Sequence, residues 1–315
     1  MSCSIAETVS VVIPTLNRAK PLLRALQSLK AQKTPDDVAL EIIVVDNSVD
    51  RTAQNVVEEA STEFTFAIKY ISEPNPGIAN ARNAGVRAAS GKWIAFLDDD
   101  EEASTLWIAE HVATLRATSA DASFGPVGAK AEKGELSPAF DDFFSRKIDR
   151  ENGIDITSLH AFLGTNNSVF QRTSCFQNSD VFDPSLNDVG GEDSLLLKQL
   201  TKAGKTFVWS SEAKVTEWVP EKRMNWNYVG RRRFLSGQIR TFVYHKLVPA
   251  RWGSIILWMV IGAIQFIVET LRMLIFYPVN REKANIARSK ALGGLGKVFW
   301  GKRFRPKLYG SGLVS

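Results

Sequence analysis

The chain has 315 residues, of which 44% are hydrophobic and 23% are charged. These are ordinary globular values, so the composition excludes a wholly disordered chain. The length suits one large α/β domain with a smaller appendage, or two modest domains. The formal net charge is +5, and basic residues crowd the segment 231–251. Such a cluster fits nucleic acid, a diphosphate, anionic lipid or simply a solvated helix face.

Neither the cysteines nor the N-terminus points to secretion. Cys3 and Cys175 are far apart and form no CxxC pattern, so no disulfide framework or zinc site is indicated. Residues 1–8 form a polar tail that lacks the apolar core of a signal peptide. We therefore predict a protein that is not secreted.

Strand and helix signals alternate through the first hundred residues. Four short apolar runs predict strands, at 9–13, 40–45, 68–71 and 93–97. Helical spacing of apolar residues predicts helices between them, over 20–31, 51–60 and 77–89. This alternation predicts an α/β fold with a mostly parallel central sheet and flanking helices. The near-continuous apolar runs fit strands that are buried on both faces.

Polar residues follow three of these predicted strands at the point where each strand ends. They occupy positions 14–18, 46–48 and 98–100. Ligands of such sheets bind beyond the carboxyl ends of the strands. Each group alone could cap a helix, but three groups on one rim predict a binding site.

The second half of this domain is less regular. Residues 128–166 are predicted to be loops with a helix near 140–150. A helical run follows over 194–203, and short strands are predicted at 206–210 and 214–218. We place the end of the α/β domain at residue 220, so the domain spans 9–220.

The character of the chain changes after residue 220. Residues 225–246 are helical and basic, and residues 252–277 are strongly apolar. The clean apolar part, 253–268, is shorter than the roughly 20 residues of a full span. An interfacial or embedded helix, a full span and a buried helix of a soluble protein all remain open. Glu269 and Arg272 are three residues apart and are expected to pair. We predict that 221–315 is a membrane-associated helical region.

The strongest chemical signal is the triplet Asp98, Asp99 and Asp100 at the end of the fourth strand. Adjacent carboxylates repel one another unless a cation is near. Hard oxygen ligands suit Mg²⁺ or Mn²⁺, which would stabilise the negative charge of a departing diphosphate. The alternative is an acidic turn that caps the next helix.

Two weaker signals accompany the triplet. Glu192 and Asp193 follow two glycines, and a carboxylate there could act as a general base or interact with a helix dipole. Asp46 could accept a hydrogen bond from a uracil ring, or it could begin a turn. Thr15, Asn17 and Arg18 could line the same pocket.

Five ordered motifs resemble family 2 glycosyltransferases, which are inverting enzymes with the GT-A fold. The motifs are VIPTLNR (12–18), IVVDNS (43–48), NPGIANARN (75–83), WIAFLDDD (93–100) and GGED (190–193). Any one motif is unspecific, but five in register are highly specific, and the resemblance covers roughly residues 8–220. The stretch RRRFLSGQ (231–238) resembles members that build bacterial exopolysaccharide or cell-envelope glycans.

The resemblance implies roles for individual residues. Nucleotide and donor contacts would come from Pro14, Thr15, Asn17, Arg18, Asp46, Asn80, Arg82, Asn83, Asp98 and Asp99, with Asp46 reading the base. Asp100 would bind Mn²⁺ or Mg²⁺, and Glu217 would replace the metal-binding His of many relatives. Asp193 would be the catalytic base, with Glu192 contacting the acceptor. The diphosphate or lipid head groups would meet Arg231, Arg232 and Arg233.

These features predict an inverting, metal-dependent transferase at the cytoplasmic face of the cell membrane. The donor would be a nucleotide sugar, UDP-linked by family resemblance, and the acceptor a glycan or a polyprenyl-linked glycan. Processive synthases of the family carry a Gln-x-x-Arg-Trp motif. No such motif is evident here, which favours transfer of a single sugar.

Two other functions compete with this interpretation. A nucleotidyltransferase lacks support because no glycine-rich phosphate loop is present. A catalytically degenerate membrane scaffold is disfavoured because every expected carboxylate is present. Nucleic-acid binding is not expected, since the basic residues adjoin an apolar helix whose aromatic residues resemble interfacial anchors.

Overall fold

The computed structural model describes residues 7–178, 180–187 and 189–304. The strands in these ranges are β1 (Glu7–Thr15), β2 (Val38–Asp46), β3 (Ala67–Ser72), β4 (Trp93–Phe96), β5 (Glu101–Ala103), β6 (Ala122–Phe124), β7 (Val127–Ala131), β8 (Ser168–Gln171), β9 (Phe207–Trp209) and β10 (Val215–Val219). The α-helices are α1 (Ala19–Lys30), α2 (Gln54–Glu63), α3 (Ile78–Ala88), α4 (Trp107–Thr118), α5 (Pro138–Phe144), α6 (Arg172–Cys175), α7 (Glu192–Lys202), α8 (Trp226–Lys246), α9 (Trp252–Phe276) and α10 (Arg281–Val298).

A seven-stranded sheet with the order β3-β2-β1-β4-β8-β6-β9 forms the centre of the fold. Strands β3, β2, β1 and β4 are parallel, β8 runs antiparallel to both its neighbours, and β9 is parallel to β6. The predicted mostly parallel sheet is confirmed. A second sheet, β5-β10-β7, lies beside it and places Glu217 of β10 opposite Glu101 of β5.

Each face of the large sheet is covered by helices because its central strands are apolar on both sides. Val11 of β1 packs with α1 and α4, whereas Val12 packs into the core that contains residues of α3 and α7. The chain enters this sheet earlier than expected. Strand β1 begins at Glu7 within the predicted tail, and Glu7 pairs in register with Val38. The other residues of that predicted tail, 1–6, lie outside the described ranges.

The last three helices pack closely through small residues. A Cβ on Gly237 of α8 would lie 2.1 Å from the carbonyl oxygen of Gly293 of α10. A Cβ on Gly296 would lie 2.0 Å from the carbonyl oxygen of Phe234. Such contacts between small residues are typical of helices that pack in membranes. An apolar cluster that includes Leu195 of α7 and residues of α8 joins these helices to the α/β domain.

Helix α9 carries an unusually apolar exposed surface. By length and composition it is the one helix among the described residues that could cross a membrane. Its buried residues are Ile255, Gly262 and Glu269, whereas most of its large apolar side chains are exposed. The predicted ion pair is confirmed, with Arg272 lying 3.1 Å from Glu269.

Candidate active site

A large cleft lies beyond the carboxyl ends of the parallel strands. Its volume is about 1490 Å³, which exceeds the 300–1,000 Å³ typical of pockets for one small molecule. The strand ends, the start of α7 and one face of α8 line it, together with parts of α9 and α10. The predicted site residues that line the cleft are Pro14, Thr15, Asn17, Arg18, Arg82, Asp98, Asp99, Asp100, Glu192, Asp193, Glu217, Arg232 and Arg233.

One wall of the cleft carries the aspartate rim, formed by Asp98, Asp99 and Asp100. The first strand orders this rim, because Thr15 donates a hydrogen bond of 2.7 Å to Asp99. Arg18 binds Asp99 at 2.6 Å and Asp100 at 2.8 Å through its two terminal nitrogens. Arg18 lies at the start of α1, where the β1 strand has just ended. The guanidinium therefore holds two neighbouring carboxylates in a fixed relative position.

The rim has more negative charge than its surroundings readily accommodate. Burial raises the pKa of Asp99 to about 7, and repulsion from Asp100 adds to the effect although Arg18 opposes it. Burial and the Asp100 charge likewise raise the pKa of Glu217 to about 8. Arg223 contacts both Asp100, at 3.2 Å, and Glu217, at 3.8 Å. The site thus favours added positive charge.

The residues of this wall supply some, but not all, of the ligands that a divalent metal needs. Asp100 and Glu217 offer the hard oxygens that Mg²⁺ and Mn²⁺ prefer. Within the described ranges, no group of three or more His, Cys, Asp or Glu side chains could hold a metal alone. A metal here would take its other ligands from phosphate oxygens and water, which is how Mg²⁺ is commonly bound.

The facing wall carries Glu192 and Asp193 at the first turn of α7. Gly191 adopts a left-handed conformation, φ 92°, just before the helix. Arg82 donates to Glu192 at 2.5 Å and also lies 3.4 Å from Asp98, so it connects the two walls. Burial and the Asp193 charge raise the pKa of Glu192 to about 7. The second Glu192 oxygen, Oε2, is buried and without a hydrogen-bond partner among the described residues.

Asp193 is oriented by its own helix. Its Oδ1 atom accepts a hydrogen bond of 2.6 Å from the backbone N–H of Ser194. Its Oδ2 atom lies close to Gly164, where an added Cβ would come within 3.3 Å of it. The side chain is partly exposed and lines the cleft. The arrangement leaves Oδ2 available to a ligand hydroxyl.

Asp46 occupies a different position from the predicted one. Its carboxylate is completely buried and accepts hydrogen bonds from the backbone N–H groups of Ser48 and Ala53, and from Tyr70. It therefore stabilises the turn that leads into α2. Its role in base recognition stays a prediction, but this arrangement does not present the side chain to the cleft.

Three further predicted residues lie outside the lining of the cleft. Asn83 is buried and exchanges two hydrogen bonds with the backbone of Phe182. Asn80 donates to the carbonyl groups of Asn75 and Pro76. Arg231 lines a separate groove between α8 and α10. Their proposed ligand contacts remain predictions that the positions of these side chains do not favour.

Several residues of the cleft region carry no recognisable sequence motif. Arg223 follows β10 and binds the rim, as described above. Arg146 belongs to no motif, yet it donates to the carbonyl groups of Gly125, Asn166 and Asn167. Asn166 in turn donates to Glu101 at 2.8 Å. These contacts depend on long-range folding, so no local pattern could have revealed them.

Comparison with known sequences identifies the family. A family model described as glycosyl transferase family 2 matches residues 10–178. The chain is 34% identical over 236 residues to the succinoglycan biosynthesis protein ExoM of Rhizobium meliloti, and the match covers 74% of each chain. It is 25% identical over 254 residues to the glycosyltransferase AglE of Haloferax volcanii, covering 81% of this chain and 80% of that one.

Solved structures agree at the level of the fold. The mannosyltransferase PcManGT from Pyrobaculum calidifontis, in complex with GDP-Man and Mn²⁺, superimposes with a TM-score of 0.63 at 17% identity. The match covers 94% of this chain and 88% of that chain. S. aureus TarS 1–349 in complex with UDP-GlcNAc gives a TM-score of 0.52 at 18% identity, over 92% and 90% of the two chains. The predicted GT-A fold and family resemblance are confirmed. The chain is a glycosyltransferase, and it belongs to glycosyl transferase family 2.

Proposed function

We propose that this protein transfers a sugar, with inversion, from a nucleotide diphosphate donor to an acceptor hydroxyl in polysaccharide biosynthesis. The carrying observation is that one cleft contains the aspartate rim and, on its facing wall, the Glu192–Asp193 pair. Similarity to a succinoglycan biosynthesis protein supports the pathway class. Likeness to structures with bound GDP-Man and UDP-GlcNAc supports a nucleotide-sugar donor. We take UDP as the first nucleotide to test.

The donor would lie along the aspartate rim. Pro14, Thr15, Asn17 and Arg18 would border the nucleotide, and Asp98 would contact the ribose or the sugar. Mn²⁺ or Mg²⁺, held by Asp100 and Glu217, would supply positive charge to the departing diphosphate. Arg232 would add to this charge, since its positive charge already opposes the rise that burial causes in the pKa of Glu217.

The transfer step would use Asp193 as general base. Its free Oδ2 takes the proton of the acceptor hydroxyl, and the oxygen attacks the anomeric carbon from the face opposite the nucleotide. The bond from that carbon to the diphosphate oxygen breaks, and its electron pair leaves with the nucleoside diphosphate. The unpaired Oε2 of Glu192 would accept a hydrogen bond from the acceptor. Arg82 would position that carboxylate.

The protein would work at the cytoplasmic face of the membrane, peripheral or embedded through its C-terminal helices. The exposed apolar side of α9 supports this location, because a large exposed apolar surface commonly contacts lipid or another protein. A glycan on a lipid carrier is then the acceptor we favour. Recovery of the full-length protein in the soluble fraction without detergent would count against this location.

A transfer assay tests the reaction. Purified protein is incubated with a panel of nucleotide sugars, Mn²⁺ and a membrane lipid extract, and nucleoside diphosphate release is measured. We expect one donor to turn over, with a product linkage of inverted anomeric configuration by NMR. Pyrophosphate release from a nucleoside triphosphate would instead indicate a nucleotidyltransferase, and no turnover with any donor would favour a scaffold.

The variant Asp193→Asn tests the assignment of the base. It keeps the size of the side chain but cannot take a proton, so transfer should fall by roughly 10²- to 10⁴-fold. Donor binding should remain close to that of the unaltered protein. Full activity in this variant would show that another group acts as the base.

A further inference from the structure

A second basic region lines the cleft away from the aspartate rim. Arg232 and Arg240 are eight residues apart on α8 and both line the cleft, so their backbones are separated by about 12 Å along the helix. Arg232 acts on Glu217 at the rim. Arg240 lines the same cleft as Lys290 and Lys297 of α10, and its charge acts on Lys297.

These three cations are held without carboxylate partners. Among the described residues, no ion pair or hydrogen bond to an acid involves Arg240, Lys290 or Lys297. Burial lowers the pKa of Arg240, and burial together with the Arg240 charge lowers the pKa of Lys297. Uncompensated cations that crowd one partly buried wall are costly unless an anion binds there.

Neighbouring groups hold two of the cations, Arg240 and Lys297, in position. The Arg240 guanidinium stacks between two aromatic rings, 4.6 Å from Phe162 and 5.3 Å from Trp258. Gln265 of α9 accepts a hydrogen bond from Lys297 and donates one of 2.8 Å to the carbonyl group of Lys290. Stacking fixes the side chain of Arg240 and the Gln265 hydrogen bond fixes that of Lys297, which is the preorganisation expected of a binding site.

The cation-lined region lies on the acceptor side of the cleft. Phe162, which stacks on Arg240, is two residues from Gly164, which adjoins Asp193. Two residues of chain span at most about 7 Å. The region also opens onto α9, where Trp258 and Ile261 line the cleft and Leu257 and Ile264 are exposed. A ligand that fits both features has an anionic group and an apolar chain.

We propose that Arg240, Lys290 and Lys297 bind the diphosphate of a lipid-linked acceptor, whose apolar chain continues along the exposed side of α9. This inference rests on the proposed transfer reaction, because it assigns the acceptor of that reaction. The glycan would extend from the diphosphate toward Asp193. The cleft then has two phosphate subsites, one at the aspartate rim for the donor and one between α8 and α10 for the acceptor.

The test measures binding of a short lipid diphosphate rather than catalysis. Full-length protein in detergent is titrated with farnesyl diphosphate, inorganic pyrophosphate or farnesol by calorimetry, in EDTA and without nucleotide. We expect farnesyl diphosphate to bind at least about tenfold more tightly than pyrophosphate, which lacks the apolar chain, and than farnesol, which lacks the diphosphate. Pyrophosphate binding as tight as farnesyl diphosphate binding would indicate a free-phosphate site and overturn the lipid assignment.

Variants locate the site. Arg240→Gln and Lys297→Gln should each weaken farnesyl diphosphate binding by about tenfold or more, whereas Arg240→Lys should retain much of it. Arg288→Gln is the matched control, because Arg288 is an exposed cation of α10 in the separate groove. Circular dichroism melting confirms that each variant is folded. Unchanged binding in both glutamine variants would refute the proposal.

The variant Asp100→Ala separates this inference from the proposed donor chemistry. It removes the proposed metal ligand at the rim but should leave farnesyl diphosphate binding unchanged. Clearly tighter binding in this variant would place the probe at the rim, because without metal the Asp100 carboxylate repels a diphosphate and occupies Arg18 and Arg223, and it would overturn the acceptor subsite. Absence of any metal-dependent nucleotide binding, with farnesyl diphosphate binding intact, would instead refute the donor assignment alone.

Discussion

Individual side chains at strand ends have different environments in this fold. Thr15 and Asp99 meet in the cleft, whereas Asp46, one strand away, turns back to bind the N–H groups of Ser48 and Ala53. A carboxylate with several charge-assisted hydrogen bonds stabilises the fold that it bonds to. Asp46 therefore acts as a structural residue in this arrangement.

The variant Asp46→Asn distinguishes this structural role from base recognition. The amide loses one charge-assisted acceptor, so we expect the free energy of unfolding to fall by about 1–3 kcal/mol. The dissociation constant for UDP, measured well below the melting temperature, should change little. An unchanged melting temperature with strongly weakened UDP binding would show that Asp46 reads the base after all.

The polar residues at the strand ends predicted the aspartate rim. They did not predict which of the neighbouring side chains point into the cleft. The motif at 75–83 pointed to three polar residues, yet successive helical residues turn by about 100°. Only Arg82 of the three lines the cleft, while Asn83 faces the core and Asn80 caps backbone groups. Arg223 lacks a sequence signal because its partner comes from a distant segment, and the basic segment 231–251 did not single out Arg240, whose ring contact with Phe162 is equally long-range.

At the level of elements, the apolar runs predicted the positions of the parallel strands well. The helical spacing of apolar residues predicted the limits of the helices less well. The predicted helix at 140–150 is α5, which ends at Phe144 because the backbone of Ser145 is extended. The predicted helix at 51–60 begins only at Gln54, after the turn that Asp46 stabilises. Hydrophobic periodicity fixes a buried face, but local hydrogen bonds to side chains decide where a helix starts and ends.

The close packing of α8 and α10 gives a prediction at this scale. Gly296→Ala adds a methyl group 2.0 Å from the carbonyl oxygen of Phe234, so the helices must move apart. We expect a loss of about 1–3 kcal/mol in the free energy of unfolding, measured in detergent. Gly253→Ala is the control because it adds the methyl group in open space, and it should be neutral or stabilising. Equal melting temperatures for the two variants would contradict this packing.

Across the whole molecule, the carboxylates of both walls give stability a definite pH dependence. Burial raises the pKa of Asp99 and Glu192 to about 7 and that of Glu217 to about 8. The folded protein therefore holds protons that the unfolded chain, with carboxyl pKa values of about 4, has already released. This contribution to stability is complete below about pH 4 and is lost as the pH rises through about 8.

Melting curves in EDTA between pH 6.5 and 8.5 test this prediction, because burial lowers the pKa of His111 to about 4 and gives an opposite contribution only below about pH 6.5. We expect the melting temperature of the metal-free protein to fall as the pH rises through this window. Mn²⁺ with UDP should reduce the fall, because a bound cation stabilises the ionised carboxylates. A melting temperature that rises with pH in EDTA would contradict the proposed charge balance of the cleft.

The binding of a nucleotide together with a metal tests the central claim most directly. The melting temperature of the full-length protein is measured with UDP, GDP and other nucleoside diphosphates, each with Mn²⁺ or EDTA. A ligand at about 100 times its dissociation constant stabilises the folded state by about 2.7 kcal/mol, which is readily measured. We predict a shift that requires both a nucleotide and Mn²⁺ and is lost in Asp100→Ala. No shift with any nucleotide, in protein that melts cooperatively, would contradict a donor site at the aspartate rim.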